Sequence, residues 1–265
     1  MQVDFGRAAL DYARYRAGFP DRFYDMLEGR GILPRAISTE GAADRALDIA
    51  TGTCTIARSL AHRGWRVDGI DLSDDMLAAA RMLDTEAGVA VAYQMAPAES
   101  LPFADGSFAL ATAGTSWHWF DRGRAAAEAR RVLIPGGHLV IASQEWREGP
   151  GNAVEATRLL IAAHNPEWAR AANYTDRFAF TFDWGDELVP HGFGDIERIA
   201  FAVDIPYSHE AWRGRIRASA GVGASLSPDG VARFDAELAA LLARDFPADP
   251  LAMPHEVMMI VARAV

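Results

Sequence analysis

The chain has 265 residues, half of them apolar and 23% charged, enough to bury a substantial core in one domain or in a domain with a small lid. Its net charge is −10 and all 26 basic residues are arginine, so no basic face suited to nucleic acid is expected. The lone Cys54 rules out an internal disulfide, the charged start MQVDFGRAALDYARYR is unlike a signal peptide, and no apolar run reaches membrane-spanning length; a reducing, cytoplasmic location away from membranes is expected.

No period of 20 to 50 residues repeats, which argues against solenoids and arrays. The first 30 residues predict helix, with Phe23, Met26 and Leu27 on one face and Pro20-Asp21 as a start signal. The break GRGILPR then leads to a second short helix, and residues 1–40 together form a helical cap. From Arg45 short apolar runs alternate with helical ones: strand 46–50, helix 55–64, strand 65–71, helix 73–83 capped by Ser73, strands 91–95 and 108–114, helix 124–133, and strand 138–143 after the Pro135-Gly136-Gly137 turn. That rhythm means βαβ units and a parallel sheet covered on both faces. After Trp146 it breaks. A helix over 152–164 and the irregular aromatic stretch WARAANYTDRFAFTFDW suggest a lid insertion over 147–190. Strand 195–206, helices 210–219 and 228–246, and a last strand 255–264 complete a single domain carrying insertions.

The run Asp48-Ile-Ala-Thr-Gly-Thr-Cys54 joins the first strand to its helix, where a turn of small residues lets backbone amides and a helix N-terminus approach a ligand. Asp71, nineteen residues after Gly52, closes the second strand, where a carboxylate reaches ribose hydroxyls in doubly wound nucleotide sites. Alone, this loop also reads as a plain strand-to-helix turn or as a nicotinamide-dinucleotide site; the dinucleotide fingerprint wants three glycines, and only Gly52 is present.

Further matches follow in order. LDIATGTC, GIDLSDDML, Ala98-Glu99 with LPFADGSFA, and RRVLIPGGHLVIA cover about 100 residues and resemble the successive motifs of class I S-adenosylmethionine-dependent methyltransferases. WHWFD (117–121) and YARYR (12–16) resemble the small-molecule, trans-aconitate methyltransferase-like branch. The resemblance implies a doubly wound, Rossmann-like α/β fold with seven mostly parallel strands, the last reversed, and S-adenosylmethionine as cofactor. The usual first and third loop glycines are Ala50 and Cys54 here, and the usual acid of the fourth strand is Ala109. Cys54 is expected to point near the methionine portion of the cofactor.

On that resemblance Asp71 accepts from the ribose hydroxyls, Glu99 and Ala98 border the adenine, and Asp48, Ala50, Gly52, Leu72, Met76 and Gly114 complete the cofactor site. For Gly114 a simple strand-end turn is the equal alternative. Tyr12, Tyr15 and Arg16 form a lid, with Arg16 toward the cofactor carboxylate, or else a surface helix with aromatic packing. His118 reads either as general base or as a hydrogen-bonded pocket wall. Trp117, Trp119, Trp146, Asn152, Arg158, His164 and Trp212 are candidate substrate contacts, with Arg213 and Arg217, four apart, offering an anion site or a solvated arginine face. No metal site and no protein partner are indicated.

The expected activity is methyl transfer to oxygen or nitrogen of a small molecule, possible in secondary metabolism. Two alternatives stand: a methyltransferase scaffold turned to intramolecular displacement, such as amine attack closing an aziridine-type ring, motivated by Ala50, Cys54 and Ala109; and a non-catalytic binding subunit.

Overall fold

Apolar runs too short for helices pair as strands, and the amphipathic segments between them cover the faces. In the computed structural model, which describes residues 14–33, 44–170, 180–219 and 221–265, the sheet has seven strands in the order β3-β2-β1-β4-β5-β7-β6. Helix α1 (Asp21–Glu28) follows Pro20 in extended conformation and buries Phe23, Tyr24 and Leu27. Then come β1 (Arg45–Ile49), α2 (Thr55–His62), β2 (Arg66–Asp71), α3 (Asp74–Ala87), β3 (Val91–Met95), β4 (Phe108–Gly114), α4 (Arg122–Val132) and β5 (Leu133–Trp146). Strand β1 is buried from Ala46 onward because β2 and β4 pair with it in parallel on either side, whereas β3, at the sheet's edge, is half exposed.

The boundaries differ from expectation where tertiary bonds extend an element. Helix α3 runs four residues past Leu83 to a left-handed Gly88 at φ 67°, after Ser73 Oγ accepts the Met76 amide at 3.3 Å. The Pro135-Gly136-Gly137 segment, expected as a turn before the strand, lies inside β5 as an irregularity where its register with β4 shifts between Phe108 and Leu110. A β-carbon on Gly137 would press on the Ala109 and Ile134 carbonyls at 2.9 and 3.0 Å, which explains the glycine.

The chain then forms α5 (Ala153–His164), α6 (Pro166–Arg170), α7 (Trp184–Leu188), β6 (Phe193–Tyr207), α8 (His209–Arg217), α9 (Pro228–Asp245) and β7 (Leu251–Ala264). The chain falls into two compact units. The larger comprises Gly18–Gln144, Phe178–Phe201 and Val257–Val265; the smaller comprises Met1–Ala17, Glu145–Arg177 and Ala202–Glu256. The lid expected over 147–190 is therefore shared between them. At its aromatic end Phe180 and Phe182 pack on the larger unit's core and Trp184 is buried within it. The smaller unit has its own core, in which Phe234, Leu238 and Leu242 of α9 share one buried face with Trp212 and Ile216 of α8; each such side chain contributes about 1.5–3 kcal/mol. Tyr12, the short helix after GRGILPR and the middle of the aromatic stretch lie outside the described residues. Among the described residues no helix is long and apolar enough to cross a membrane, and no cluster of metal-ligating side chains occurs.

Candidate active site

Between β1 and α2 the chain turns through residues 50–54 with left-handed backbone at Ala50 (φ 52°), Gly52 (φ 54°) and Cys54 (φ 69°). Glycine adopts this region freely, whereas alanine and cysteine lose on the order of 1–2 kcal/mol each. Backbone bonds hold the loop there: the Thr51 amide donates to the Ile70 carbonyl and the Cys54 amide to the Thr51 carbonyl, both at 2.8 Å. A β-carbon built on Gly52 would meet nothing within 4 Å, so the loop crest is open to a ligand. Helix α2 begins at Cys54 without a cap from that side chain, and the amide of Ala57 in its first turn donates to Asp48 instead.

Asp71, at the end of β2, is brought to this loop. Its Oδ2 accepts the Gly52 amide and its Oδ1 the Ser73 amide, each at 2.9 Å. Leu72 follows it with 70% exposure, and Met95, 56% exposed, stands opposite Asp71 in the parallel register of β2 and β3. The carboxylate is thus bordered by two exposed apolar side chains. Met95 escaped the sequence reading because it closes an edge strand, and only the pairing register sets it beside Asp71.

Asp48 turns inward. Its carboxylate accepts hydroxyls from Thr51 at 2.6 Å and Thr112 at 2.5 Å, and the Ala57 amide also donates to it. Burial pushes its pKa up to about 6 against those donors, and the charge of Asp71 adds to the rise. Asp48 therefore braces the loop from beneath. Cys54 corrects a second expectation. Its side chain is fully buried and hydrogen-bonded to Tyr93, whose hydroxyl donates to Asp84 at 2.6 Å; burial pushes the thiol up to about 12. The thiol points beneath the loop, so it does not obstruct the crest at Gly52.

The remaining cofactor candidates divide. Gly114 is needed for packing: a β-carbon there would lie 2.6 Å from Ile56 Cδ1 and 3.3 Å from Phe19. Glu99 Oε1 accepts the Asp121 amide at 2.8 Å, tying it to the start of α4, while Ala98 is buried and Met76 half buried. Trp117, expected at the substrate, is core: 1% exposed and edge-on to Phe120 at 5.6 Å. Its neighbours His118 and Trp119 sit on the same single 3-10 turn just past β4, His118 half buried and Trp119 58% exposed.

Burial pushes the His118 imidazole down to about 4, which leaves it neutral at physiological pH. A basic group with a lowered folded-state pKa contributes its full stability above the ordinary histidine range, and that contribution is lost as pH falls toward 4. Proton NMR of the assigned His118 ring should accordingly show a midpoint near pH 4. A midpoint at the ordinary histidine value would refute the burial described.

In the smaller unit, Tyr15 lies against α8, where Gly214 leaves room for its ring. Trp146 packs on Trp212 with centroids 5.2 Å apart. Arg213 and Arg217, read as an anion site or a solvated arginine face, both pair with protein carboxylates. Arg213 donates to both oxygens of Asp235, and Arg217 donates to Asp235 at 2.8 Å and Glu210 at 2.9 Å. Arg158 pairs with Glu148 at 3.2 Å on the surface. His164 pairs with Glu237 at 3.1 Å, and the Asn152 side chain caps α5. The sequence could show arginines four apart but not the acids of other segments that meet them.

The methyltransferase domain family matches residues 47–141. An uncharacterised methyltransferase of Mycobacterium bovis is 34% identical over 199 residues, 74% of this chain and 76% of that protein. Demethylmenaquinone methyltransferase of Thermus thermophilus is 41% identical over 136 residues, 51% of each, so the chain spans about half the length of that relative. Among solved structures, Haemonchus contortus phosphoethanolamine N-methyltransferase 2 in complex with S-adenosyl-L-methionine superposes with a TM-score of 0.56 at 19% identity, covering 98% of this chain and 56% of that one.

Proposed function

This chain belongs to the class I S-adenosylmethionine-dependent methyltransferases, and we propose that it methylates an oxygen or nitrogen of a small molecule. The observation that carries the reading is the open, left-handed Gly52 crest bonded through its amide to Asp71. These residues fit the cofactor. Both Asp71 oxygens keep lone pairs free for a ribose diol, Leu72 and Met95 offer apolar edges to a flat base, and the bare Gly52 backbone tolerates close approach. When bound, S-adenosylmethionine supplies a sulfonium methyl open to in-line displacement.

The protein's own contribution is then orientation and exclusion of water. Asp48, held by Thr51 and Thr112, keeps the loop in shape without entering the reaction. His118, just past β4 and kept neutral by burial, is the candidate general base for an attacking hydroxyl or amine. The ring-closing alternative rests on Ala50, Cys54 and Ala109 together; of these, the Cys54 thiol is buried against Tyr93 and leaves the crest clear.

Isothermal titration with S-adenosylmethionine and S-adenosylhomocysteine tests the proposal. Micromolar binding is expected, and the absence of heat at millimolar ligand overturns it. Gly52→Val, which fills the crest, should lower the affinity at least about tenfold. Equal affinity in the variant would place the cofactor elsewhere.

A further inference from the structure

Tyr93 stands on the edge strand β3 opposite Gly69 of β2, and its ring crosses that glycine toward the loop between β1 and α2. A β-carbon on Gly69 would lie 2.9 and 3.0 Å from atoms of the tyrosine ring and 3.1 Å from Thr51 Cγ2, so the glycine opens the passage by which the ring comes beneath the loop. There the hydroxyl gives its one proton to Asp84 Oδ2 at 2.6 Å, which leaves the Cys54 thiol as the donor in the hydrogen bond it shares with Tyr93. Asp84, 4% exposed on α3, also accepts Arg58 Nε at 2.8 Å, and Arg58 Nη2 donates to the Thr53 carbonyl at 2.9 Å.

The two arms of this network end on opposite sides of one rotatable bond. Arg58 holds the Thr53 carbonyl, which fixes the plane of the Thr53–Cys54 peptide, and Tyr93 holds the Cys54 side chain. Between them lies the N–Cα bond of Cys54, whose φ is 69°, where a residue with a β-carbon is strained and glycine is not. Relaxation to a negative φ would carry the Cys54 amide away from the Thr51 carbonyl, to which it donates at 2.8 Å. The 51–54 turn would then open, and with it the presentation of the Gly52 amide to Asp71. Strain of this kind persists where the surroundings hold it. The holding groups here act from beneath, with Cys54 and Asp84 buried, and leave the Gly52 crest open.

We propose that Tyr93 is a positioning residue of the cofactor loop, which holds Cys54 in its left-handed conformation through the thiol, anchored by Asp84 and Arg58. Its effect on cofactor affinity rests on the proposed function; its effect on the loop does not.

Tyr93→Phe keeps the ring over Gly69 and removes the hydroxyl. Affinity for S-adenosylhomocysteine, read by isothermal titration, is expected to fall about tenfold. In a Cys54→Gly background, where the left-handed φ carries no strain, the same substitution should change affinity by less than about twofold. Equal losses in the two backgrounds would overturn the proposal, because the tyrosine would then act through packing alone. Amide hydrogen exchange reads the loop without ligand. Tyr93→Phe should speed exchange at Gly52 and Cys54 at least about tenfold and leave Leu47 and Ile49 of β1 within about twofold, whereas a uniform rise overturns the proposal as general destabilisation. Cys54→Ala, which keeps the β-carbon and removes the thiol, should reproduce both changes; exchange at Gly52 as slow as in the wild type would also overturn it. If the wild type binds no S-adenosylhomocysteine, the methyltransferase reading fails, and the exchange comparison still decides the role of Tyr93.

Discussion

Replacing Asp71 with alanine is expected to weaken S-adenosylhomocysteine binding about 100-fold in isothermal titration, since hydrogen bonds to a charged group are worth about 1.5–3 kcal/mol and the ribose contact is only part of what is lost. The carboxylate also anchors the Gly52 and Ser73 amides at 2.9 Å each, so its removal frees the crest of the loop as well as the contact to ligand. Asp71→Asn separates the two effects. It keeps one oxygen for an amide but turns a donor toward the other, and should lie between wild type and alanine. The fold should persist in both variants, because Asp71 is half buried and belongs to no apolar cluster. An affinity for Asp71→Ala within threefold of wild type would remove the carboxylate from the site.

Trp212→Ala should cost about 3–5 kcal/mol of stability, read as a lower denaturation midpoint in urea. The ring is fully buried at the middle of the smaller unit's core, packed against Trp146 at 5.2 Å and Tyr207 at 5.4 Å. Its Nε1 donates to the Thr157 hydroxyl at 3.0 Å, which in turn donates to the Ala153 carbonyl at 2.6 Å, so the truncation also leaves a buried hydroxyl short of a donor. Trp119→Ala, at a site 58% exposed, is the contrast and should change stability by less than about 0.5 kcal/mol. A loss below about 1 kcal/mol for Trp212→Ala would contradict the packing described.

The alternation of β1 to β5 with helices was determined by the sequence itself, because strand and helix periods, glycine stops and capping residues such as Ser73 act over a few neighbouring residues. The same locality made the Gly52 loop and Asp71 legible: a turn of small residues after one strand and an acid at the end of the next need no knowledge of distant partners. Tertiary structure decided what depends on those partners. Arg213 and Arg217 share a helix face in the sequence, but Asp235, on another helix, pairs with both. Cys54 was read outward from its place in the loop, but its left-handed backbone directs the thiol inward to Tyr93. Met95 beside Asp71, Gly114 against Ile56, and Trp117 in the core follow likewise from strand register and close packing, which bring together residues far apart along the chain and leave no mark in the short windows a sequence pattern spans.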